Sequence, residues 1–259
     1  MRQVQLKSVF WKIVVTIAAL LFARYCLQIF VFASFRVPSD SMYPAIESSQ
    51  RIVVNKLAYG PRIFNYMDTI MHGSICRIKG FSIPQRNDII AFNNPYSHEK
   101  EHIRFDVMQY MVKRIVALPG DTFEITNCRY RVRNCTDSLG YIPSQKNLAK
   151  IVLDTILVAC YGIETKTFPN SSSYDWTISD FGPLYIPRKG DTLSLSGDNR
   201  VLYRQLVEWE SGSEYAEDQH IVEQNYYFVV GDNCLISYDS RYWGLVPEEF
   251  IVGRVDWIL

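Results

Sequence analysis

"MVKRIVALPGD" (111–121) runs without a break into "DTFEIT" (121–126). Apolar residues alternate around Lys113, then Pro119 and Gly120 make a turn, and a second alternating run follows. This is the pattern of two strands joined by a tight connection. The same texture recurs in "RIVVNKLAYG" (51–60), "DIIAFNNP" (88–95), "DTLSLSGD" (191–198), "NYYFVVGD" (225–232) and "FIVGRVDWIL" (250–259). Seventeen tyrosines and fourteen phenylalanines, many within these runs, favour strands over helical bundles. The expected fold is mainly β: an antiparallel domain of sandwich or partly closed barrel type, built from 34–126 and 184–259. Between them, 127–183 changes texture, with a Ser-rich loop "FPNSSSYDW" (168–176) and helical spacing in "KNLAKIVLDTILVACYG" (146–162). It reads as a variable insertion or lid carrying one helix. "EWESGSEYAEDQH" (208–220) reads as a surface loop or short helix. Formal net charge is zero, which gives no footprint for nucleic acid or a polyacidic substrate.

The N-terminus has another character. Arg2, Lys7 and Lys12 precede "IVVTIAALLFA" (13–23), Arg24 interrupts, and "YCLQIFVFASF" (25–35) resumes. A cleaved signal peptide would place Arg24 inside its apolar region, and a buried core helix would have to hide the same charge. A retained anchor from about Phe10 to Ala23 avoids both, with Lys7 and Lys12 at one interface and Arg24 at the other. Basic residues before the span place residues 1–9 in the cytoplasm, 10–33 as anchor and approach segment, and the remainder outside.

Lys113 is the first candidate for chemistry. Alternation points it to the face of Met111 and Ile115, and desolvation there lowers an amine's pKa. A neutral amine can take a proton from a serine, as histidine does in other hydrolases. For an isolated lysine the commoner fate is an amine reaching the sheet edge. The second candidate is "FRVPSDSMYPAI" (35–46), where Pro38 and Pro44 stiffen a loop holding Ser39 and Ser41. Hydroxyls at alternate positions of an extended segment point the same way. Ser41 can attack while the Ser39 hydroxyl and the Ser41 amide stabilise an oxyanion.

"GDNCLISYDSRYWGLVP" (231–247) supplies context. With "PSDSM", "DIIAFNNP" and "KR…LPGD", in this order behind an apolar segment, it resembles the bacterial type I signal peptidases, Ser-Lys endopeptidases anchored in the cytoplasmic membrane. The resemblance implies Ser41 as nucleophile, Lys113 as general base and Ser39 as side-chain oxyanion donor. It implies Ser237 as the serine that hydrogen-bonds and orients the lysine, and Asp239, Arg241 and Asp232 as charged support. Phe35, Val37, Met42, Ile46 and Val112 fall where the family lines shallow pockets for small substrate side chains. It further implies no metal or organic cofactor, a catalytic domain on the extracytoplasmic side of the inner membrane, and as partners the signal peptides of preproteins, the bilayer and the nearby secretion translocon.

Three positions depart from the family pattern. Asp40 stands where glycine is commonest and would raise the Lys113 pKa unless Arg36 or Arg241 offsets it. Cys234 replaces a frequent arginine, and Asn87 a usual glycine. Asp40 and Cys234 sustain an alternative in which an inactive anchored β-domain binds exported peptides without cutting them. "HEKEH" (98–102) fits the H-E-x-x-H zinc-protease pattern. Pro95, an internal Lys-Glu pair and the want of a recognisable third ligand argue for a polar loop instead. His72 and His220 show no nearby nucleophile signature. Cys128 and Cys135 flank the hairpin-like "RYRVRN" and form a candidate bridge for an oxidising compartment.

Overall fold

A computed structural model describes residues 2–63, 75–96, 102–212 and 218–259. Arg2–Cys26 is α-helical and widens to π geometry over Leu27–Val31. The stretch long and apolar enough to cross a membrane is Val9–Val31, which fits a membrane anchor. It overruns the expected end at Ala23, because nothing in "RYCLQIFV" breaks a helix. Arg24 thus lies about 10 Å from the end of that stretch at the usual helical rise, within snorkelling reach of an interface.

Fourteen strands follow among the described residues: β1 (Phe32–Arg36), β2 (Arg51–Asn55), β3 (Arg62–Ile63), β4 (Cys76–Arg77), β5 (Ile89–Asn93), β6 (Tyr110–Ala117), β7 (Thr122–Thr126), β8 (Arg129–Val132), β9 (Phe181–Tyr185), β10 (Thr192–Ser194), β11 (Gln219–Ile221), β12 (Tyr226–Val230), β13 (Val246–Pro247) and β14 (Ile251–Ile258). Each of the seven alternating runs read from the sequence contains one. Seven strands form one sheet in the order β1-β2-β14-β5-β6-β12-β13, with every neighbouring pair antiparallel. Laid flat, β1 and β6 would stand roughly 19 Å apart at ordinary strand spacing. Instead the Phe35 and Tyr110 rings lie 4.7 Å apart, so the sheet curls into a half-barrel. Register shifts in β14 and between Phe228 and Val229 mark irregularities that assist such bending.

The curl leaves two edges facing one another. β5 covers one side of β6 from Tyr110 to Arg114, but β12 covers the other side only from Arg114 to Ala117. β1 pairs with β2 alone.

The 127–183 segment is more deeply built in than a detachable lid. β8 and β9 flank β7 in a three-stranded sheet. Phe123 of β7 and Phe181 of β9 both pack on Phe228 of β12, at 4.5 and 5.5 Å between ring centroids. The segment therefore shares a core with the catalytic-domain strands. Its helical stretch is two helices, Ile142–Ile151 and Thr155–Cys160. Asp154 divides them by accepting from the amides of Ile156 and Leu157, a cap that starts a new helix. Cys128 and Cys135 are both free thiols, the former buried in the core, so the candidate bridge is not made.

Candidate active site

The serine loop is closed at its base. Val37 donates to Gln50 O at 3.0 Å and Ser49 to Val37 O at 2.7 Å. Met42 and Ile46, both without solvent exposure, plug it into the cluster formed with Ile52, Val54, Ala91 and Val252. From the other side the turn after β12 holds it, with Asn233 N donating to Ser41 O at 3.0 Å and Asn233 Nδ2 to Asp40 O at 3.3 Å. Gly231 is needed there for space. A Cβ would stand 2.1 Å from Ser237 Oγ and 2.5 Å from Ser41 O.

Within this frame Lys113 Nζ donates to Ser41 Oγ at 2.8 Å, and Ser39 Oγ lies 3.2 Å from the same oxygen. Lys113 is 3% exposed. Burial pulls its pKa from the ordinary 10.5 down to about 8; the Asp239 and Asp232 charges oppose that and the Arg241 charge adds to it. The amine is thus substantially neutral a little above pH 8, and a neutral amine can accept the serine proton. Asp40 acts otherwise than its charge foretold. Its carboxylate accepts from Ser48 N at 3.0 Å across the loop, and it is absent from the causes of the Lys113 shift.

Behind the amine lie two ion pairs, one wholly buried and one with only its carboxylate fully buried. Arg241 Nε and Nη2 meet the Asp239 carboxylate at 2.8 and 2.9 Å, both side chains wholly buried. Arg241 Nη2 also donates to the carbonyls of Cys234 and Ser237, and Asp239 accepts from Gly231 N at 2.9 Å. Desolvation pushes the Asp239 carboxyl up, but Arg241, Lys113 and Gly231 N overcome it and hold it below the ordinary carboxylate range. The second pair, Arg114 with Asp232, is bidentate at 2.7 and 2.6 Å and fastens β6 to the same turn. Its arginine escaped the sequence reading, although "KR" places it one residue from the lysine.

Two expectations need correction. Ser237 is 3% exposed, yet among the described residues its hydroxyl has no hydrogen-bond partner. The Lys113–Ser237 bond implied by the family resemblance is therefore not formed, because the amine is turned to Ser41. Met42 and Ile46 do not line the substrate face; their full burial makes them the floor under the loop. The open cleft, of about 320 Å³, is lined by Phe35, Val37, Pro38 and Val112 beside the serines, with Met108, Met111 and Tyr110 added. Met108 and Tyr110 precede the alternating run, so its pattern gave no reason to select them.

Cys234, at 1% exposure, packs its thiol 3.3 Å from the Tyr130 hydroxyl. Asn87 adopts φ 70°, the left-handed conformation that favours glycine, and bonds Ser138 O and Gly140 N through its side chain. His72 and residues 98–101 of "HEKEH" lie outside the described residues. His102 pairs with Glu208 at 2.9 Å and His220 with Glu210 at 2.6 Å. Among the described residues no three His, Cys, Asp or Glu side chains gather as metal ligands.

A serine hydroxyl against a buried amine, inside an antiparallel half-barrel, is the equipment of a hydrolase. Comparison with known proteins narrows that class. The family model described as signal peptidase, peptidase S26 matches residues 8–259, and the chain belongs to that family of proteases. It is 27% identical over 257 residues to the Signal peptidase I of Buchnera aphidicola subsp. Schizaphis graminum, covering 96% of this chain and 74% of that one. With the Signal peptidase I of Pseudomonas aeruginosa it shares 28% over 244 residues, 90% and 66% of the two chains. With that of Aquifex aeolicus it shares 25% over 256 residues, 94% and 81%.

Proposed function

We propose that the chain is a Ser-Lys endopeptidase that removes signal peptides from exported preproteins at the membrane surface. Family membership supports the reaction and its substrate class. The observation that carries the dyad is the 2.8 Å bond from the buried Lys113 amine to Ser41 Oγ. Neutral Lys113 takes the Ser41 proton as Ser41 attacks the scissile carbonyl. The Ser39 hydroxyl swings from Ser41 Oγ to the developing oxyanion, joined by the Ser41 amide. Lys113 then protonates the leaving amine and activates the deacylating water.

The substrate lies extended between the open edges of β1 and of β6 at Tyr110–Lys113, adding a strand across the curled sheet. Phe35, Val37 and Val112 flank that path, and their bulk favours small substrate side chains before the cleaved bond. The apolar helix anchors the enzyme in the cytoplasmic membrane with the β-domain on the extracytoplasmic side, near the secretion translocon. No metal or organic cofactor takes part. Full burial of Cys234 and the engagement of the Asp40 carboxylate by Ser48 N favour this reading over that of an inactive peptide binder.

Ser41→Ala and Lys113→Ala are each expected to reduce cleavage of a preprotein in detergent by at least about 10³-fold, with chelators having no effect. Full activity in either variant would end the Ser-Lys assignment. Loss of activity on chelation, restored by zinc, would favour a metal mechanism.

A further inference from the structure

Arg36 is the last residue of β1 and lines the cleft beside Pro38, Ser39 and Ser41. Phe35 and Val37 on either side of it pack on the cluster of Met42 and Ile46, while Ser34 and Arg36 take the opposite, exposed face. Directly across the strand pair stands Arg51 of β2, and like charges so placed repel. Arg51 Nη1 reaches the Ser34 hydroxyl at 3.5 Å. Among the described residues neither guanidinium forms an ion pair. The acid nearest to Arg36 in the sequence, Asp40, accepts from Ser48 N across the loop. The cleft thus has a cationic rim whose charge no side chain of the described residues neutralises.

An extended peptide would meet this rim at a definite residue. Its scissile carbonyl lies at Ser41. Both edges lead away from there together, β1 back to Phe35 and β6 back to Tyr110, whose rings touch. Phe35, Val37 and Val112 pack on one cluster, so the first and third residues before the scissile bond face them. By the alternation of an extended chain the second residue points the other way, to the face of Arg36 on β1 and Met111 on β6.

We propose that Arg36 recognises an acidic side chain, glutamate above all, at the second residue before the scissile bond. The inference rests on the endopeptidase reading of the same cleft and names the preproteins it favours. The guanidinium donates two N–H bonds to the carboxylate in the charge-assisted fork that suits it, and the glutamate stem lies along Met111.

The test uses the full chain in dodecyl maltoside at low salt, with peptides differing only by glutamate, glutamine or lysine at that residue. The readout is each enzyme's ratio of kcat/KM between peptides, so an effect common to all of them drops out. Glutamate is expected to exceed glutamine about fivefold, the scale of an exposed ion pair, and lysine to fall below both. Arg36→Gln should level the three peptides, and Arg36→Glu should pass the preference to lysine, a reversal that a merely structural arginine would not give. Arg36 is absent from the charges that shift the Lys113 pKa, so the ratio reads the contact and not the base. Binding of the labelled peptides to Ser41→Ala, with and without Arg36→Glu, reads the same preference by fluorescence anisotropy without cleavage. Glutamate-selective binding with no cleavage by the wild type would sink the Ser-Lys reading and uphold the contact. Equal binding of glutamate and glutamine peptides, or a glutamate preference that survives Arg36→Glu, overturns the proposal. So does an equal gain from glutamate moved to the third residue, which would mean diffuse attraction to the rim.

Discussion

Lys113 is the residue proposed to accept the serine proton, and its burial has a consequence for stability as well as chemistry. A fall from 10.5 to about 8 corresponds to roughly 3 kcal/mol held against the charged form. Below pH 8 both folded and unfolded states carry the proton, so the native state bears the whole penalty. Between 8 and 10.5 the unfolded chain keeps its proton while the native amine has lost it, and stability rises with pH. Lys113→Met is therefore expected to be inactive yet more resistant to urea than the wild type at pH 7, the gap closing towards pH 10.5. In the wild type kcat/KM should climb through an apparent pKa near 8. A gap that widens with pH, or an acid limb below about 6, would contradict the buried amine. The lysine was legible in the sequence because it stands on the apolar face of an alternating run and the stiff serine loop upstream offers it a partner; the run alone pointed more often to an amine at the sheet edge. Its hydrogen-bond partners were less legible. Among the described residues the Ser237 hydroxyl stands unpaired, and the Asp40 carboxylate turns to Ser48, because loop closure, not local pattern, directs those side chains.

β6 and the turn after β12 meet only through tertiary contacts, and here the sequence said least. Seven strands were readable from alternation, since a strand half-buried on one face writes that pattern locally. The order β1-β2-β14-β5-β6-β12-β13, which sets the C-terminal β14 between β2 and β5, is non-local. So is the joint between Arg114 and Asp232, whose carboxylate is wholly buried. Removing one partner of such a pair strands a charge, at a cost of about 3–5 kcal/mol. Arg114→Gln should destabilise by that order and lower kcat, because the turn that clamps Ser41 O loses its tie to β6. Adding Asp232→Asn in the same chain removes the orphaned charge and should return much of the stability, measured by urea unfolding. If the double variant is no better than the single one, the loss lies in the Asn87 carbonyl contact of Arg114, not in the buried charge.

Among the described residues the buried clusters are made of residues from Val37 onward, while none of the apolar helical window is buried. β1 keeps every pair with β2 from Phe32 to Arg36 without the helix. The anchor therefore contributes little to the core; on the proposed function its part lies in encounter, since it would confine enzyme and membrane-held substrate to one surface. Deleting residues 1–31 is expected to leave a β-domain that folds in detergent, because phenylalanine 32 and Trp257 remain partly exposed at the sheet's outer end. It should cleave a short soluble peptide within about tenfold of the full chain, yet lose about a hundredfold on a preprotein embedded in vesicles. Equal losses on both substrates would mean that the helix, through the Lys56 bonds to Gln28 and Ile29, shapes the cleft itself. The ratio of the two losses thus separates tethering from architecture.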